Sequence, residues 1–170
     1  MTKINYRKPV VSDARSICNL VKNNKPLDEN SNYLYVLLCH KFSDTCVVAE
    51  TDSKVIGFMT GFVPPKKSQT LFVWQAAVDA KYRNEGIAKN LVSTALENAG
   101  SGIKFIEATV TSSNSASLKF LENLADGLKT SISLTPLFST DVLGEGHEPE
   151  NLVRIGPITS KLLEVEAWRQ

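Results

Sequence analysis

A mixed α/β sheet follows from three observations on this 170-residue chain. Two short apolar runs, 46–50 and 55–62, flank the turn-like Thr51-Asp52-Ser53-Lys54 and read as a β-hairpin. A longer apolar strand, 71–78, is followed by Ile87, Ala88, Leu91, Val92, Ala95, Leu96 and Ala99 at helical spacing. A further strand at 105–110 and a second helix at 114–125 then complete a βαβ pattern.

Taken in order, Ser12 is the expected N-cap of a first helix whose apolar face carries Ile17, Leu20 and Val21. Residues 26–32 are polar and turn-like. They lead into the apolar run 33–39, expected to be a short buried helix capped by Ser31 or Asn32. Gly57 and Gly61 inside the second hairpin strand signal bulges or a close backbone approach, and Pro64-Pro65 ends that strand. The long, mostly apolar run 71–78 predicts burial on both faces. Gly100-Ser101-Gly102 terminates the clearest amphipathic helix. Residues 1–157 are expected to form one domain. A tail, 158–170, carries Leu162, Leu163, Val165 and Trp168, a pattern suited to a helix packed on the core or on a second subunit.

Composition narrows the function classes. Hydrophobic residues at 42% and charged residues at 22% match an ordinary globular domain. Nineteen basic against eighteen acidic residues leave +1, which argues against nucleic acid as partner. The longest apolar run, 33–39, is far short of the roughly 20 residues that span a bilayer, and residues 1–7 hold no apolar signal segment. Cys18, Cys39 and Cys46 are odd in number and lack CxxC spacing, so reduced thiols are expected rather than disulfides or a zinc site. A cytoplasmic protein without a metal is the resulting expectation.

The chemistry-bearing segment joins the third strand to the long helix. Arg83-x-x-Gly86-x-Ala88 places small residues where a helix begins, and such a point offers backbone N–H groups and a positive helix end to an anion. The segment has neither GxxxxGK[ST] nor GxGxxG, and by itself the pattern is equally that of an ordinary turn.

In its context of strand, loop and amphipathic helix, the segment resembles the pyrophosphate-binding motif of the GCN5-related N-acetyltransferases (GNAT). Strand 105–110 with Asn114-x-x-Ser117-Leu118 resembles that superfamily's second motif. The resemblance implies a mostly antiparallel sheet with splayed central parallel strands flanked by helices, and acetyl-CoA as co-substrate. It implies that the backbone of Ala76, Ala77 and Val78 holds the pantetheine. Arg83, Asn84, Glu85, Gly86, Ile87, Ala88 and Lys89 would take the pyrophosphate, and Asn114 and Ser117 would flank the pantetheine.

A narrower resemblance spans about residues 7 to 157. Leu27-Asp28-x-Asn30-Ser31-x-Tyr33-x-Tyr35, Phe72-Val73-Trp74-Gln75, Glu107-x-Thr109-Val110-Thr111-x-x-Asn114 and His147-Glu148-x-Glu150 look like the L-2,4-diaminobutyrate acetyltransferases of ectoine biosynthesis. That family implies direct acetyl transfer to the 4-amino group of a small diamino acid, and a homodimer. Its acceptor has two ammonium groups and a carboxylate, so the site needs carboxylates, a donor and a base. Asp28, Tyr33, Trp74, Glu107 and Thr109 are the expected acceptor residues. Glu150 is the expected base, beside apolar strand 152–155, with Glu148 and His147 as rivals; His147 is alternatively a donor to the acceptor's carboxylate or a plain surface residue. Structural readings stand beside these: Asp28 as a turn residue, Glu107 paired to a lysine, Trp74 as core, and 147–150 as a solvated loop. His40 reads as structural. Where many GNAT members carry a tyrosine, seven residues after the second-motif Asn, this chain has Leu121. Either another group protonates coenzyme A, or the thiolate leaves and is protonated by solvent, which an ordinary thiol pKa of about 8.5 allows; no side chain is expected to be an indispensable general acid.

Overall fold

The computed structural model describes residues 3–159. Among them, seven strands form one sheet in the order β1-β2-β3-β4-β5-β7-β6. These are β1 (Asn5–Arg7), β2 (Val47–Thr51), β3 (Lys54–Phe62), β4 (Thr70–Val78), β5 (Phe105–Thr111), β6 (Ile132–Phe138) and β7 (Glu150–Ile155). Every neighbouring pair is antiparallel except β4 with β5. The parallel pair is joined by the crossover helix α3 (Ile87–Ala99), as a βαβ connection requires.

Helices cover both faces. Helix α3 and helix α4 (Ser115–Gly127) bury Leu91, Val92, Leu96, Leu121 and Leu124 against Met59, Leu71, Val73, Ile106 and Val153. On the opposite face, α1 (Ala14–Lys22) and α2 (Asn32–Lys41) bury Ile17, Leu20, Val21, Tyr35 and Leu38 against Val48 and Phe58. The expected apolar face of α1 is thus the one that is buried. A four-residue helix, α5 (Thr140–Leu143), lies in the β6–β7 connection.

Local chemistry explains the element ends. The β2–β3 turn puts Asp52 (φ 48°) and Ser53 (φ 59°) in the left-handed region, the pairing whose twist matches the flanking strands. Gly100 (φ 93°) stops α3. Ser31 Oγ accepts from the Leu34 amide at 3.4 Å and caps α2.

Three expectations need correction. Ser12 caps nothing: a 3₁₀ turn, Val11–Asp13, precedes α1, and the Asp13 carboxylate takes the Val10 amide at 2.8 Å. Helix α2 is buried only in part, because its first turn projects outward and leaves Tyr33 72% exposed. Strand β4 is not buried on both faces throughout, because residues 76–78 are half-buried where the sheet opens. Strand β6 was not foreseen from the sequence at all. The residues of the tail from 160 to 170 lie outside the described residues, while Ile158 is buried and its amide donates to Lys104 O at 2.7 Å.

One polar cluster ties β1 to β2 and to the start of α1. Arg7 donates to both Asp13 oxygens at 2.7 and 3.0 Å, and to Glu50 Oε2 at 2.6 Å. Burial alone would raise the Asp13 carboxyl, but the Arg7 and Val10 hydrogen bonds outweigh it and hold it below the usual carboxylate range. Asp13→Asn should lower the unfolding free energy by about 2–3 kcal/mol at pH 7. The stabilisation from a depressed carboxyl is complete above its unfolded pKa, near 3.9, and is lost as the pH falls through the folded value. Urea denaturation of the two proteins should therefore converge as the pH drops below about 4.

Candidate active site

The sheet opens because β4 and β5 share only four rungs, from Thr70↔Phe105 to Val73↔Ala108. Beyond Val73, β4 stays with β3 as far as Gly57↔Val78, and β5 stays with β7 as far as Thr111↔Glu150. The two central strands are drawn apart by their outer neighbours. The bend originates at Trp74: Thr60 pairs with Gln75 and Gly61 with Val73, so Trp74 is the extra residue of a bulge. Gly61 is required opposite it, since a Cβ there would lie 2.5 Å from the Phe72 carbonyl oxygen. Residues 74–78 consequently have no strand on the β5 side, and their outward N–H and C=O groups face the opening.

At the end of β4 the chain makes the 3₁₀ turn Ala80–Tyr82 and enters α3 through a loop held in two left-handed conformations, Asn84 (φ 66°) and Gly86 (φ 74°). Gly86 is the N-cap of α3, and the first helical bond is the Asn90 amide to Gly86 O at 3.0 Å. A Cβ at Gly86 would meet nothing within 4 Å, so the helix start is open to a ligand. That geometry fits a pyrophosphate: a positive helix end, first-turn amides and a residue without a side chain. Arg83 donates to Val78 O at 3.3 Å and to Asn24 Oδ1 at 2.6 Å, linking the loop to the end of α1. Asn114 Oδ1 caps α4 by accepting from the Ser117 amide at 3.2 Å.

The other face of the opening carries α1 and α2. The Tyr35 hydroxyl donates to Gln75 Oε1 at 2.8 Å, and Gln75 Nε2 donates to the Asp28 carbonyl at 3.0 Å. This buried relay fixes the α1–α2 loop on the strand just past the bulge. Burial also pushes the Tyr35 hydroxyl above its ordinary pKa. The Trp74 ring lies 6.2 Å from that of Tyr35.

Glu107 shares a rung with Phe72 and is buried to 3% exposure. Lys67 Nζ lies 3.0 Å from both its oxygens, and Arg154 Nη1 donates to Oε1. Thr109 faces the opening one alternation further on, opposite Leu152, and Glu150 opens β7 opposite Thr111. Glu148 Oε1 accepts from Ser113 Oγ at 2.6 Å. His147 is exposed in the loop before β7.

Trp74, Glu107, Thr109 and Glu150 therefore gather around the opening, and Asp28 is attached to it through Gln75. Tyr33 points outward from the first turn of α2, and the structure records no contact between His147 and these residues. Gln75, Asn24, Lys67 and Arg154 had no assigned role in the sequence reading. Gln75 alone left a signal, an amide inside an otherwise apolar strand.

The model of the acetyltransferase (GNAT) family matches residues 14–125. This chain belongs to that family. Relatives of the GNAT chain include the L-2,4-diaminobutyric acid acetyltransferase of Shouchella clausii, 41% identical over 90% of this chain and 86% of the relative. The enzyme of that name from Chromohalobacter salexigens is 43% identical over 89% and 80%. Among solved structures, the diaminobutyrate acetyltransferase EctA of Paenibacillus lautus, in complex with L-2,4-diaminobutyric acid and coenzyme A, has a TM-score of 0.87. It is 36% identical, and the match covers 92% of this chain and 96% of that one. Ard1 from Thermoplasma volcanium, at 15% identity and TM-score 0.72, shares the fold.

Two outcomes follow for the GNAT domain. Gln75→Leu leaves the Tyr35 hydroxyl without its buried acceptor and should cost about 1–3 kcal/mol. Hydrogen exchange in residues 24–31 should rise with it. Burial pushes the Cys39 thiol to about 12 and the Cys46 thiol to about 11. Neither should react with an aromatic disulfide reagent at pH 8 until urea unfolds the protein.

Proposed function

We propose that this protein transfers the acetyl group of acetyl-CoA to the 4-amino group of L-2,4-diaminobutyrate, giving the N4-acetyl product of ectoine biosynthesis. One observation carries the reading: the Paenibacillus lautus enzyme, so similar along almost the whole chain, was solved with that amino acid and coenzyme A.

Acetyl-CoA supplies an activated acetyl group. The α3 and α4 side suits its binding. The amides of residues 83–89 at the helix start would take the pyrophosphate, the backbone of Ala76, Ala77 and Val78 the pantetheine, and Asn114 and Ser117 the flank of that arm. The acceptor would enter from the α2 side, so that its amine meets the acetyl group through the opening. Trp74 walls the amine from water, Thr109 offers a hydroxyl at the opening, Asp28 supplies negative charge for an ammonium group, and Glu107 serves the acceptor through the two cations bound to it. Tyr33 stands at the entrance.

The reacting amine must lose a proton before it attacks. Glu150 is the base in this reading, at the β7 end of the opening, with Glu148 and His147 as the rival groups one loop away. No side chain is assigned to protonate the departing thiolate. Position 121 holds a buried leucine, and a thiolate of ordinary basicity leaves without help. Transfer is direct, within a ternary complex.

The reading includes a homodimer and a cytoplasmic location. Strand β6 supports the first: it is an edge strand exposed along its whole length, with Ile132, Leu134, Leu137 and Phe138 uncovered and no charged residue from 130 to 140. Free thiols support the second. No helix among the described residues is long and apolar enough to cross a membrane.

The test is release of free thiol from acetyl-CoA with diaminobutyrate, ornithine, lysine or spermidine as acceptor, with the product mapped by NMR. The expected result is strong turnover on diaminobutyrate with the acetyl group on N4. Coenzyme A binding with no turnover on any amine would reduce the protein to a binding domain. Glu150→Gln should lower kcat at pH 7 by about 10²-fold or more, with the KM for acetyl-CoA little changed. Near-normal kcat at neutral and high pH would remove Glu150 as the base.

A further inference from the structure

The acceptor side of the opening carries an unequal charge cluster. Glu107 is one carboxylate, its side chain only 4% exposed, and two cations converge on it. Two positive charges against one negative leave a surplus of +1. The cations are not sealed in with it: the Lys67 side chain is 50% exposed and that of Arg154 34%. They come from separate elements, Lys67 from the β3–β4 loop and Arg154 from β7. The Arg154 guanidinium lies over the Phe105 ring, 3.8 Å from its centroid, which fixes its plane. Glu107 thus acts as a buried peg that holds two cationic heads at a set position while their other donors remain available.

That position has a length relation to the reacting centre. Glu107 stands one rung before the last shared pair of β4 and β5, at the closed end of the opening. Thr109 is the first residue of its alternation beyond that pair, about 7 Å further along the strand. In an extended 2,4-diamino acid, the carboxylate carbon and the 4-nitrogen lie about 5 Å apart. A carboxylate at the cluster would leave the 4-amino group close to the opening, where the acetyl group is to be attacked.

We propose that Lys67 and Arg154, held in place by Glu107, form the binding site for the α-carboxylate of the acceptor and so select amino acids over plain diamines. The inference rests on the acetyl-transfer reading and deepens it. Glu107, with its charge already matched by two cations, serves the acceptor through them and not as a partner for an ammonium group. Arg154 offers a planar fork suited to a carboxylate, and Lys67 adds a mobile point charge.

The test compares acceptors that differ only by the carboxylate: diaminobutyrate with 1,3-diaminopropane, and ornithine with putrescine. Each pair is assayed with the wild type, Lys67→Met, Arg154→Gln and Arg154→Lys. The wild type should prefer the amino acid in any pair it accepts. Lys67→Met and Arg154→Gln should each raise KM for the amino acid by roughly 10–100-fold, the scale of one lost charge-assisted hydrogen bond. The diamine should lose much less, so the ratio of kcat/KM values collapses. Arg154→Lys should restore part of that ratio.

Equal losses on both members of a pair would make the cluster merely structural and overturn the proposal, as would a wild type without preference. Should Arg154→Gln fail to fold, Lys67→Met, in an exposed loop, carries the comparison alone. Preference for ornithine over putrescine, lost in the variants, with no turnover of diaminobutyrate, would sink the substrate reading and support the carboxylate site. Where turnover is absent, calorimetric binding of the same pairs decides by the same ratio.

Discussion

The bulge at Trp74 is the constraint on which the rest of this structure depends. One extra residue in β4, tolerated because Gly61 stands opposite, ends the β4–β5 ladder after four rungs. Without it, β4 and β5 would pair along their full length and the two faces of the sheet would be sealed from each other. The cost is the further β4–β5 rungs that are not made, along a stretch where residues 76–78 are half-buried. Two separate cores offset that cost by anchoring the strands on either side: α3 and α4 beneath one face, α1 and α2 above the other.

Around the opening, polar groups are buried only where they position something. Tyr35 and Gln75 form a relay that ends on a backbone carbonyl of the α1–α2 loop. Arg83 reaches the same loop region from the opposite side, through Asn24. The segment between α1 and α2 is therefore fastened at two points by groups from β4 and from the loop that follows it. In a low-dielectric setting such bonds are strong when complete and costly when broken. This combination gives a short irregular segment the rigidity of a regular element.

The hairpin, the long crossover helix and the β5–α4 unit were legible because each has a clean apolar period closed by turn residues. Strand β6 was not. Its sequence, Ile-Ser-Leu-Thr-Pro-Leu-Phe, breaks alternation at Pro136, and an exposed edge strand need not be apolar on one face only. The start of α1 misled because Ser12 has the residue type of a cap. Asp13, one position on, wins through its bonds to Arg7 and the Val10 amide. In the site, the spacing of Arg83, Gly86 and Ala88 marked a helix start and became distinctive only in its strand–loop–helix context, while Asp28, Glu107 and Glu150 were named by the family resemblance. The partners of Glu107 were not, because Lys67 and Arg154 are 40 and 47 residues away in sequence and meet it only through the sheet register.

The two left-handed residues of the β4–α3 loop, Asn84 and Gly86, have a thermodynamic consequence. Their backbone angles are set when the domain folds, as part of the link between β4 and α3. The conformational entropy of ordering that loop is thus lost once, on folding, and not again each time a ligand arrives. A loop prepared in this way would take an anion with little further ordering, so that its affinity would reflect the contacts made and the water displaced.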